Sequence, residues 1–237
     1  MQFVSERLRN DKTYILKRVQ NNGFALEFAS KELQNDYNIV LTAVQNNGFA
    51  LKYASKDLQN DYNIVSIAVQ YNGHVLKYAS IELQNNYDIV LKAVEKYGYA
   101  LEYASIDLKN DYDIVLKAVE NDSYALEYAS IDLKNNFNIV LKAIKNLHIN
   151  KYVNFYKPIT FVSKDLLNNK KIILEVVKKN GLLLEYASDE LKNDKEIILA
   201  AIKEDSIASK YMSQELKNDI NFLFEAYNVN NLSLIHI

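Results

Sequence analysis

The amino-acid sequence predicts an all-α chain, an α-solenoid of about nine 25-residue helical repeats with short one-turn helices between the longer ones. Three observations predict it. A serine stands at Ser5, Ser30, Ser55, Ser80, Ser105 and Ser130, always 25 residues apart, and returns at Ser163, Ser188 and Ser213. Three residues after each serine comes a leucine, and two further on an asparagine, from Asn10 to Asn218. All five glycines (Gly23, Gly48, Gly73, Gly98 and Gly181) fall at one phase of the same period. Self-similarity at a fixed period of this length marks units that bury their apolar sides only by stacking on one another.

Each element follows from the residues that recur. The position after every asparagine is Asp or Asn, a strong N-cap whose side chain accepts an orphan amide. Behind it, Val40, Ala43, Val44 and Gly48 trace a helical stripe, so "YNIVLTAVQNN" reads as an amphipathic helix of about three turns. The glycine just past that helix is expected to close it in the left-handed conformation, with positive φ. A second, shorter helical segment, "FALKYA" from Phe49 to Ala54, comes next. The serine then caps one more turn, "KDLQ", because an N-cap role explains its recurrence and a mid-helix position does not. The leucine of that turn is expected in the core of the inner repeats. Ala43, Ala68, Ala93 and Ala118 mark close helix approach, and Arg18 at this phase suits a terminal repeat.

The tandem array is read as one solenoid over 1–231. Its first repeat is incomplete, "MQFVS" standing where "LKYAS" stands elsewhere. The interval from Ser130 to Ser163 exceeds the period by eight residues, an insertion near 149–157. The last six residues, 232–237, break the pattern and are expected to be a non-native tail.

Composition narrows the chemistry. Twenty-eight basic against thirty acidic residues give a net charge of −2, which argues against an electrostatically driven nucleic-acid binder. With no cysteine there are no disulfides, zinc ribbons or thiol nucleophiles. No signal-like segment opens the chain and no run of eighteen apolar residues occurs, so a soluble intracellular protein without membrane contact is expected.

The unit "NGxALxYASxxLKNDxxIVLxAV", clearest over 98–120 and 180–202, resembles the tandem repeats of the domain of unknown function 4116. The resemblance covers nearly the whole chain and implies an all-helical array; it brings no catalytic residues. Ser123 and Ser206 depart from its glycine.

No catalytic, cofactor or metal site is expected. The serines have no histidine partner, the carboxylates recur as caps, and every glycine stands alone. His74 fills an otherwise aromatic phase (Phe24, Phe49, Tyr99, Tyr124) and reads as a packing substitute. Of two aromatic ladders, the one containing Tyr53, Tyr78, Tyr103 and Tyr128 reads as inter-repeat core with the hydroxyl at its rim. The other, Tyr37, Tyr62, Tyr87 and Tyr112 with Phe137, opens the long helices and becomes lysine at Lys12, Lys170 and Lys195, so it is expected to be at least partly exposed. Exposed aromatics are favoured at protein interfaces. Tyr152, Phe155 and Tyr156 in the insertion form a second candidate interaction patch, since insertions in repeat proteins map to loops on one face. The expected function is a non-catalytic scaffold binding another protein. The alternatives are a nucleic-acid-binding repeat array and the repeat region of a larger enzyme or effector.

Overall fold

A computed structural model describes residues 5–147 and 157–230. All regular structure among them is helical. The chain divides into two compact units, Met1–Ser130 and Ile131–Ile237. Repeats are numbered below by their cap serines, Ser5 opening repeat 1.

In the N-terminal unit the same three elements alternate. Repeat 3, for example, has a one-turn helix Lys56–Gln59, a long helix Tyr62–Tyr71 and a 3-10 helix Gly73–Tyr78. Consecutive long helices pack side by side, consecutive 3-10 helices do the same, and each 3-10 helix lies against the long helices flanking it. The core between the two layers is the predicted stripe: Ile39, Val40, Ala43 and Val44, and their equivalents in repeats 3 to 5, are fully buried, as are Leu51, Leu76 and Leu101 from the 3-10 helices. Each of the buried valine, leucine and isoleucine side chains contributes about 1.5–3 kcal/mol. Arg18 is only half-buried, as its terminal repeat predicts.

The caps form as expected. Asp36 Oδ1 accepts from the backbone N–H of Asn38 and Ile39 (both 3.1 Å), and Ser55 Oγ accepts from Leu58 N–H (3.3 Å). The serine break is therefore real, and the recurrent leucine is buried from Leu58 onward while Leu8 and Leu33 are half-buried. The segment from Phe49 is a 3-10 helix that starts one residue earlier and ends at Tyr53, with Ala54 already extended (φ −66°, ψ 156°).

The glycines require a correction: none of them has positive φ. The long helix is ended by the residue before, such as Asn47, which is extended (φ −152°, ψ 111°) and whose Oδ1 caps the 3-10 helix by accepting from Phe49 N–H (3.0 Å). Glycine is needed for a different reason. A methyl group built on Gly73 would stand 2.0 Å from the carbonyl oxygen of Ala93 in the following long helix, and one on Gly23 would stand 2.3 Å from that of Ala43. At these positions hydrogen in place of a side chain lets the two layers close to this distance.

The asparagine has a role that sequence spacing left unexplained. Ser80 Oγ donates to Asn60 Oδ1 (2.5 Å), Ser105 Oγ to Asn85 Oδ1 (2.6 Å), and Ser55 Oγ likewise to Asn35. Beside each, the serine N–H donates to the carbonyl preceding that asparagine, as in Ser80 N to Gln59 O (2.9 Å). One serine thus caps its own turn and clips its repeat to the one before.

The C-terminal unit keeps the plan. Its long helices are Phe137–Lys145, Lys170–Lys179, Lys195–Glu204 and Ile220–Asn230, with a core that includes Ile173, Leu184, Ile198, Ala201 and Phe222. The clip recurs from Ser163 to Asn135 and from Ser213 to Asn193 (both 2.5 Å). In repeat 8 the short turn is 3-10, Leu191–Asn193.

Candidate interaction surface

The first residue of most long helices projects outward because the helical stripe starts two residues later, although Phe137 is half-buried. Tyr37, Tyr62, Tyr87 and Tyr112 occupy it in four successive repeats and are 40%, 40%, 41% and 39% exposed. Tyr152, Phe155 and Tyr156 lie outside the described residues.

Charge surrounds the exposed tyrosines. Lys92 Nζ lies 5.4 Å from the centre of the Tyr62 ring while it donates to Ser66 Oγ (2.8 Å). The Tyr87 hydroxyl is held neutral above the usual phenol range, first by desolvation against its neighbours and then by the carboxylates Asp111, Asp113 and Asp88. Where lysine replaces tyrosine, it pairs with the cap carboxylate of the next repeat. Lys12 Nζ is 2.6 Å from Asp36 Oδ2, and Lys195 Nζ is 2.7 Å from Asp219 Oδ2. Lys170 Nζ is held by both Asp194 Oδ2 and Glu196 Oε2 (2.8 Å each). These ammonium groups hold the Asp36 and Asp219 carboxyls below their ordinary range.

The other aromatic ladder packs between repeats and is only partly withdrawn from solvent. Tyr53, Tyr103 and Tyr128 are half-buried and stand edge-on to the aromatic phase of the preceding repeat: Phe24–Tyr53 at 6.3 Å, His74–Tyr103 at 5.2 Å and Tyr99–Tyr128 at 5.1 Å between ring centres. Burial pushes the Tyr103 hydroxyl up to about 12, with Glu102 adding to it, and Tyr128 higher still. His74 does substitute for an aromatic ring, among Phe49, Tyr97 and Tyr103. Its Nε2 meets Lys77 Nζ at 2.9 Å, while Nδ1 is buried and has no hydrogen-bond partner among the described residues. Desolvation, then the Lys77 ammonium, lower its pKa against an opposing pull from Glu102.

One exposed feature escaped sequence reasoning. Ile81 and Ile106, first residues of their one-turn helices, are 82% and 84% exposed where repeats 2 and 3 carry Lys31 and Lys56. That switch from lysine to isoleucine directly after the cap serine was the available signal. Among the described residues no group of three or more His, Cys, Asp or Glu could hold a metal ion, and no helix is long and apolar enough to cross a membrane.

Stacked helix–3-10–helix units with outward-facing side chains at one repeating position define a helical-repeat protein. The chain belongs to the family described as Domain of unknown function (DUF4116), whose model matches nine times, at 1–34, 11–59, 36–84, 61–109, 86–132, 111–167, 151–192, 169–216 and 194–237. No curated protein and no solved structure matches it.

Proposed function

We propose that the chain is a non-catalytic scaffold that binds another protein along the ladder Tyr37, Tyr62, Tyr87 and Tyr112. The observation that carries this reading is an aromatic residue kept about 40% exposed in four successive repeats, at a helix position that lysine occupies in three other repeats. Tyrosine offers large contact area at small entropic cost, which suits it to docking surfaces. The carboxylates beside the ladder disfavour a nucleic-acid backbone, so base stacking is the weaker reading.

Selection of a random peptide library displayed on phage tests the proposal. Peptides enriched on the parent should be lost on a variant carrying Tyr→Ala at all four positions and folded by circular dichroism. Enrichment that survives the four substitutions, or no enrichment, refutes it.

A further inference from the structure

The repeats that carry lysine show what the tyrosine repeats leave open. In Asp36, Asp194 and Asp219 the two carboxylate oxygens divide their work. Oδ1 accepts the capping hydrogen bonds, as from Ile39, Ile197 and Phe222 N–H (3.1, 3.2 and 3.1 Å), and Oδ2 holds the ammonium of the lysine one repeat earlier. Asp61 and Asp111 use Oδ1 in the same way, accepting from Ile64 and Ile114 N–H (2.9 Å each). The residues one repeat earlier, however, are Tyr37 and Tyr87, and among the described residues no cation pairs with either carboxylate.

The match is fullest at Asp111. Asp111 and Asp113 stand at the phases of Asp194 and Glu196, which together hold Lys170 at 2.8 Å. Lys117, the equivalent of the Lys92 that lies over Tyr62, turns to Glu120 instead (3.3 Å). By repeat phase, Asp111 and Asp113 stand where Asp194 and Glu196 hold an ammonium, and Tyr87 supplies an exposed ring where the lysine stem would otherwise lie.

We infer that Asp61 with Tyr37, and Asp111 and Asp113 with Tyr87, are two subsites for lysine side chains of a basic, extended partner segment, taking the ammonium that Lys12, Lys170 and Lys195 supply internally elsewhere. The inference rests on the docking reading above and names its chemistry. Between the subsites stands the equivalent pair Tyr62 and Asn86, whose cap carries no charge. At a helix spacing of roughly 8–10 Å per repeat, the subsites are about 16–20 Å apart. An extended strand rising about 3.3 Å per residue covers that in five or six residues.

The test is fluorescence anisotropy of a labelled Ser/Gly peptide carrying two lysines five residues apart, against the same peptide with glutamines, at low ionic strength. The parent chain should prefer the lysine peptide by roughly tenfold, the sum of an exposed ion pair and an exposed cation–π contact at each subsite. Tyr37→Lys with Tyr87→Lys fills both subsites from within and should abolish the preference without lowering thermal stability. Asp111→Asn with Asp113→Asn removes the ion pair at one subsite and leaves its ring, so it should weaken the preference by less than the roughly threefold that a whole subsite contributes; it stays folded because asparagine already caps at Asn86 and Asn136. Ile81→Lys with Ile106→Lys adds the same charge on the short helices and should leave the preference intact. No preference in the parent, or equal loss from the isoleucine and tyrosine pairs, overturns the inference. Phage-selected peptides that depend on the tyrosines yet contain no lysine would overturn it while leaving the docking reading standing.

Discussion

Gly73→Ala separates two explanations of the glycine phase. In most backbone settings with negative φ, replacing glycine by alanine stabilises by about 0.4–1 kcal/mol, because the unfolded chain loses freedom. Here the new methyl would stand 2.0 Å from Ala93 O and 2.8 Å from Ala93 C. An ordinary contact needs about 3.5 Å or more. The obstacle is backbone in the middle of the helix Tyr87–Lys96, so it cannot swing aside, and the two layers must separate locally. Overpacking of this kind costs about 1–3 kcal/mol, and more when backbone must move. With the unfolded-state gain subtracted, a net loss of about 2 kcal/mol is expected. Ser123 and Ser206 show that the array accommodates a β-carbon at this phase, so the variant should fold. Urea denaturation followed by circular dichroism gives the loss, and amide exchange should place it in the helices flanking Gly73. Gly48→Ala, whose closest approach is 2.6 Å, should cost less. Asparagine at position 73 should be worse than alanine, because the site lacks space and does not need a left-handed residue. An alanine variant as stable as the parent, or an asparagine variant better than the alanine one, would refute the close-approach account.

Leu108→Ala should cost about 2–5 kcal/mol in urea denaturation, and Leu8→Ala clearly less, because Leu108 is buried and Leu8 only half so. Ser105→Ala and Asn85→Ala should each cost about 1 kcal/mol, with a coupling of about 0.5–1 kcal/mol in a double-mutant cycle; additive losses would mean that the clip contributes nothing. His74→Phe should raise stability at neutral pH by about 1 kcal/mol by removing a buried, unpaired ring nitrogen. It should also flatten the pH response: the folded His74 binds its proton less tightly than the unfolded one, so the parent loses stability as pH falls from about 6.5 toward the lower folded pKa. Urea midpoints at pH 7 and just below 6 check both effects.

Local physics was legible in the sequence, and contact across repeats was not. Cap serines and aspartates act on amides two or three residues away, so their spacing revealed them. The asparagine acts on a serine 20 residues later, and nothing beside Asn60 or Asn85 points there. The glycine phase was visible, but left-handed closure and close approach leave the same mark in a sequence, and only the position of Ala93 O distinguishes them. Exposure of the tyrosine ladder was readable from its exchange with lysine. The chemistry of that exchange was also present, since Lys12, Lys170 and Lys195 each precede an aspartate cap one repeat on. Its meaning depended on seeing the carboxylate oxygens divide their work.

The clip has a further consequence for how such a chain changes length. Each serine reaches back to the repeat before it, at a separation of 20 residues that is the same at Ser80, Ser105 and Ser130. Excising residues 81–105 would place Ser80 directly before Ile106 and restore every bond with new but equivalent partners. Duplication or loss of one period by slippage in the coding DNA is therefore nearly silent for folding. It is not silent for recognition: losing repeat 4 would bring Asp61 and Asp111 into adjacent repeats and halve the stride at which a partner must present its charges. Repeat number can drift as a ruler while the material it is cut from stays the same.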